Sequence, residues 1–139
     1  MRDEFRKRQD LRQRTKEFAL RIVKLFVALP TDAAAQVLGK QILRSGTSVG
    51  AQYREACRAK SNADFISKLE GALQELDETL YWLELIGESG VVESSRLGPL
   101  HKETEELIAM FVTIVKGVKQ KKAGNHDGVV IPHPSALIP

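Results

Sequence analysis

The sequence predicts an all-α protein, an antiparallel up-down-up-down four-helix bundle with a flexible C-terminal tail. Three observations lead there. Apolar residues recur every three or four positions through four successive segments, the spacing that keeps one face of a helix inward. Only 5 prolines and 10 glycines interrupt 139 residues, so most of the chain is free to be helical. The connections between periodic segments are short, which makes neighbouring helices run antiparallel. The periodicity places helices at about 5–29, 32–58, 62–87 and 94–120, one bundle over residues 1–122 and a tail over 123–139.

The first helix carries Leu11, Thr15, Phe18, Ile22, Leu25, Phe26 and Leu29 on one face and ends at Pro30. Thr31 offers an N-cap hydroxyl for the second, with Asp32 in the first turn where a negative charge suits the helix dipole. Ala35, Leu38, Ile42, Ser45, Val49, Gln52 and Ala56 continue the second helix in one phase. Gly46 and Gly50 fall inside it, each costing about 1 kcal/mol of helix propensity relative to alanine. Close approach of another backbone is the usual compensation, so this segment is expected to pack tightly against a neighbouring helix or subunit.

Ser61 with Asp64 resembles a capping box and opens the third helix, which turns Phe65, Ile66, Leu69, Leu73, Leu76, Leu80, Leu83 and Ile86 inward and stops near Gly87. Pro99 marks a start or a kink near the head of the fourth, where Leu97, Leu100, Thr104, Leu107, Phe111, Ile114 and Val118 repeat as a heptad. Beyond residue 122 the period disappears among prolines and glycines; residues 129–131 are the part expected to dock locally.

Composition narrows the class. Residues 1–10 are charged and lead into no apolar run, unlike a signal peptide, and no apolar stretch approaches the ~20 residues of a bilayer span. A lone Cys57 excludes an internal disulfide and suits a reducing compartment, so a soluble cytoplasmic protein without membrane contact is expected. The three histidines, His101, His126 and His133, supply neither the paired Glu-x-x-His of a di-iron bundle nor the zinc-protease spacing. Phosphate loops and dinucleotide glycine patterns are absent too. Cys57 has Arg54 and Arg58 nearby but no histidine in its helix to serve as a base. No enzyme, metal or cofactor is expected.

Charge is more informative. Folding the chain up-down-up-down gathers the start of helix one, the end of helix two, the start of helix three and the end of helix four at one pole. That pole holds fifteen Lys and Arg against eight Asp and Glu, the opposite pole six against ten, so a net charge of +3 conceals a polarised molecule. Arg6, Arg8, Arg12, Arg54, Arg58, Lys60 and Lys119 are the candidates for contact with RNA or DNA phosphates, which needs clustered cations and little base readout. The bland reading is a solvated surface whose cations complement helix dipoles. A third use of polarity is association of copies head to tail into a closed ring. Tyr81 and Trp82 read as core or subunit-interface anchors. Arg44, Ser48 and Glu55, spaced along one side of the second helix, suggest a buried polar network between helices or subunits.

Gln41, Arg44, Ser48, Val49, Gln52 and Glu55 resemble the Q-x-x-R-x-x-x-S-[IV]-x-x-N-x-x-E core of the four-helix-bundle family named after the 23S rRNA intervening sequence protein. RSGTSVGAQYREACRAKSNADFISKL at 44–69 and ETLYWLEL at 78–85 are similar to one branch of it, and the likeness covers residues 11–120. The departures are Gln52 where asparagine is usual, Ala56 where glycine is common, and the C-terminal tail. The resemblance implies a left-handed bundle assembled as a homopentamer and implies no activity, since the family name records where some of its genes lie. A related group, the accessory proteins of diversity-generating retroelements, forms basic pentamers that associate with nucleic acid. The expectation is therefore a non-enzymatic oligomeric scaffold that contacts RNA or DNA through its basic pole. The alternative is a structural or protein-partner oligomer whose polarity serves ring self-assembly.

Overall fold

The computed structural model describes residues 2–124, so the docking expected of 129–131 and nearly all of the expected tail lie outside the described residues. Four helices follow in order, α1 (Arg2–Ala28), α2 (Ala33–Cys57), α3 (Asn62–Glu88) and α4 (Ser94–Gly124). The helix ends fall within a few residues of expectation. α1 begins three residues earlier than the apolar period indicates, and α4 runs two residues into the segment read as tail.

The caps explain most boundaries. Asp32, not Thr31, is the N-cap of α2: its carboxylate accepts from the Ala35 amide at 3.1 Å and adds a negative charge at the positive end of the dipole. Ser61 caps α3 by accepting from the Asp64 amide at 3.0 Å. The connection after α3 turns at Gly90, whose φ of 80° lies in the left-handed region that a side chain disfavours. Pro99 is accommodated inside α4, in the second turn, where it forfeits a single backbone bond.

Cross-helix contacts set the directions. Positions approaching Gly39, Gly46 and Gly50 of α2 are Leu29 and Phe26, then Ile22, then Thr15, so α1 and α2 run antiparallel. Arg44 reaches Glu75 while Gln52 meets Gly71, and Glu70 reaches Lys119 while Glu84 meets His101, which makes α2–α3 and α3–α4 antiparallel as well. The core is continuous from Leu11 through Tyr53, Phe65 and Phe111, with the Tyr53 and Phe111 rings stacked at 5.6 Å. α1 leans on α2 and touches α4 sparingly.

The buried face of α2 differs from expectation by about one position. Gly39 and Tyr53 are buried where the period points to Leu38 and Gln52, which are half-buried. The reason is the glycine stripe. A Cβ at Gly46 would stand 2.6 Å from Cγ1 of Ile22, so bare backbone lets α1 settle against that flank and draws the buried face toward it. On α3, Ala72 and Thr79 join the core, while Leu73 and Leu80 are half-buried at its margin.

Candidate nucleic-acid interface

The cations of the predicted phosphate surface divide into two groups. In the first, each is already engaged. Arg8 on α1 donates to the Cys57 carbonyl at the C-terminus of α2, satisfying an acceptor that the helix itself leaves open. Lys119 pairs with Glu70 at 3.0 Å, joining α4 to α3, and Arg6 pairs with Asp3 at 3.3 Å on the exposed first turn. Arg14, counted with the basic pole, instead forks onto Glu103 at 2.6 and 2.8 Å and reaches Glu106 at 3.3 Å. Hydrogen bonding to Glu103 is the main reason its guanidinium pKa is raised. The two poles are thus stitched together at mid-height between α1 and α4, and the polarity is less clean than topology alone suggests.

In the second group, Arg12, Arg54, Arg58 and Lys60 have no carboxylate within ion-pair distance among the described residues. Arg54, Arg58 and Lys60 are exposed, and Arg12 of α1 is half-buried near Tyr53 of α2. They cluster because α2 ends at Cys57 and the short turn to α3 follows directly. The negative end of the α2 dipole favours cations there. Arg54 shares a groove of about 320 Å³ with Lys16 of α1, floored by Ala19, Gly50 and Ala51. Lys16 is the cation that sequence reading counts without singling out; its registry opposite Arg54 follows only from the glycine-mediated contact of α1 with α2.

The residues read as structural or interface positions are also distributed unevenly. Gly46 and Gly50 face Ile22 and Thr15 of α1. Gln52 lies against Gly71 of α3, which leaves room for its amide. Among the described residues Arg44, Ser48 and Glu55 form no buried network between helices, which leaves the subunit half of that expectation. Arg44 is half-exposed and bridges Glu75 at 3.1 Å and Glu78, the Coulombic pull of Glu75 being the main cause of its raised pKa. Ser48 donates to the carbonyl of Arg44 in its own helix, and Glu55 and Gln41 are exposed.

The buried polar link between α2 and α3 is a different pair: the Ser45 and Thr79 hydroxyls, 2.8 Å apart and fully buried. Thr79 falls three residues after Leu76 and four before Leu83, so the core period itself was the signal for it. Trp82 is half-buried with its indole N–H enclosed and without a partner among the described residues. Tyr81 meets it edge-on at 5.1 Å and is 55% exposed, so it lies outside the core of the chain, which leaves a subunit interface as the expectation for it.

Among the described residues no group of three or more His, Cys, Asp and Glu is placed to hold a metal ion, and no helix is long and apolar enough to cross a membrane. What remains is a helical bundle whose distinguishing surface feature is a patch of unneutralised cations at one end. The chain belongs to the family described as 23S rRNA-intervening sequence protein, which matches residues 7–113. It is similar to a crystal structure of a protein with unknown function from the S23 ribosomal protein family of Bacteroides thetaiotaomicron. That likeness has 41% sequence identity and a TM-score of 0.74, covering 79% of this chain and 98% of the other. No curated protein matches this chain.

Proposed function

We propose that this protein is a non-enzymatic cytoplasmic scaffold that contacts RNA or DNA phosphates through Arg12, Arg54, Arg58 and Lys60. The observation that carries the reading is that these four cations cluster at the α2–α3 end without acidic partners among the described residues. Cations elsewhere on the same pole that already pair with a carboxylate or a carbonyl gain less from a phosphate, since part of their hydrogen bonding is committed within the chain. Among the described residues Phe5, 65% exposed at the start of α1, is a lone aromatic at this pole and forms no stacking platform with the cations, so binding is expected to follow charge and ignore sequence. If copies assemble as the family resemblance implies, several such patches act together and weak contacts sum through effective concentration.

Fluorescence anisotropy with labelled RNA and DNA across a salt series tests this. Affinity should fall steeply with salt and be abolished by Arg54→Glu with Arg58→Glu, a change at exposed positions that leaves the helical circular dichroism intact. Unchanged affinity in that variant refutes the surface.

A self-assembling or protein-binding scaffold is supported by a separate observation, the exposure of Leu20 and Val27 on the outer side of α1 at 51% and 76%. Native mass is the relevant measurement. Glu75 and Glu78 are poor choices for disrupting a charge-driven ring because they hold Arg44 within the chain. Asp77→Asn with Glu88→Gln removes acidic-pole charge without touching an observed ion pair and should dissociate a ring held by polarity; an unaltered mass counts against it.

A further inference from the structure

We propose that the cleft between the C-terminal half of α1 and the head of α4 is a binding site for a small anionic amphiphile, a short acyl chain or single ring bearing a carboxylate or phosphate. The cleft of about 290 Å³ exists because α1 is drawn onto α2 by the glycine stripe and meets α4 only sparingly. Its floor is apolar, built from Leu25 of α1 with Leu97 and Leu100 of α4. Its walls are cationic: Arg21 and Lys24 on α1 face Arg96 on α4.

Charge complementarity fixes the occupant. Arg21, Lys24 and Arg96 have no carboxylate within ion-pair distance among the described residues. They stand at the pole where acids outnumber bases, a local reversal of sign around an apolar floor. Small-molecule pockets span about 300–1,000 Å³ and combine an apolar lining with a few convergent polar groups. At about 290 Å³ this cleft falls just below that range, which suits a single short chain. An anionic head held by three guanidinium or ammonium groups, with its tail on the leucines, matches both halves of the lining, whereas a cation is repelled and a bare inorganic anion leaves the floor wet. The site is independent of the phosphate-contacting patch, which lies at the other end of the bundle.

The full chain is titrated with octanoate, octyl phosphate, octylamine and acetate, following the thermal midpoint and the backbone amide shifts of Leu25 and Leu97. Octanoate or octyl phosphate should raise the midpoint and move those amides, the stronger of the two identifying the head group, while octylamine and acetate do neither. Arg21→Glu with Arg96→Glu, both exposed, should weaken binding by at least about tenfold, since a like charge then faces the head group. Ala28→Phe, which fills the cleft from the α1 end, should block it without charge change. Arg54→Glu with Arg58→Glu should leave it unaltered, separating this site from the nucleic-acid patch. Equal response to octylamine, full binding by the Ala28→Phe protein, or binding to phosphatidylglycerol vesicles with none to either soluble anion overturns the proposal.

Discussion

Tyr53 shows how one side chain in the core can be both well packed and poorly satisfied. Its ring is fully buried against Phe111, yet its hydroxyl is enclosed with no well-formed hydrogen bond among the described residues, the weakly bonding Cys57 thiol being its polar neighbour. An unpaired buried hydroxyl costs roughly 1–3 kcal/mol. Tyr53→Phe should therefore stabilise the fold at pH 7 by about 1 kcal/mol, measured by urea unfolding; a less stable variant would reveal a partner for the hydroxyl. Burial, and then the neighbouring Cys57, push the phenol pKa up from its ordinary value of 10.0. Because the folded pKa is raised, the unfolded chain releases this proton first. Stability is fully present below about pH 10 and is lost as pH rises beyond it. The difference between native protein and Tyr53→Phe should accordingly widen between pH 9 and 11, because the two proteins differ only in this hydroxyl. Tyr53 was not legible in the sequence, because the apolar period points one position earlier, to Gln52. Only the approach of α1 to the glycine flank shows which side of α2 is buried.

At the scale of helices, the sequence made existence, order and approximate ends readable. Pro30, Ser61 and the apolar periods are local signals, and local physics decides them. Partner choice across helices is not local: nothing near Arg44 in sequence indicates Glu75 and Glu78, and nothing near Arg14 indicates Glu103. Close approach is the intermediate case, since Gly46 and Gly50 announce that something comes near without saying what. Ile22 is what comes near Gly46. Gly46→Leu should destabilise by about 1–3 kcal/mol or more, as overpacking does when a branched side chain and not a flexible tip obstructs the new atoms. Adding Ile22→Ala should recover part of that loss in a double-mutant cycle, and strict additivity would show that the two positions do not share the space. The α2–α3 joint has its own test. Thr79→Val leaves the buried Ser45 hydroxyl without its 2.8 Å partner and should cost about 1–3 kcal/mol. Ser45→Ala with Thr79→Val should be less damaging than Thr79→Val alone, because no donor or acceptor is then stranded.

Across the whole molecule, the consequential quantity is how many cations remain unneutralised once the bundle has formed. Sequence topology counts Arg8, Arg14 and Lys119 with the basic pole, but Arg8 closes the end of α2, Arg14 ties α1 to α4, and Lys119 ties α4 to α3. These ties hold the helices in register; Glu103 and Glu70 offset the charge of Arg14 and Lys119, while the Cys57 carbonyl engages Arg8 without neutralising it. The two groups should separate in the salt dependence of nucleic-acid binding. Each phosphate-contacting cation contributes about one unit to the slope of log affinity against log salt. Arg54→Ala with Arg58→Ala should therefore lower the slope by about two and weaken RNA and DNA alike. Arg14→Ala should leave slope and affinity unchanged while reducing stability by about 1–3 kcal/mol, since its fork onto Glu103 is partly buried and its loss leaves that carboxylate without its charged donor. A slope that falls equally for Arg14→Ala would mean that phosphates displace Glu103 and that the ties open on binding. A slope indifferent to Arg54 and Arg58 would move the contact surface away from the α2–α3 end, leaving the cation cluster to complement the α2 dipole.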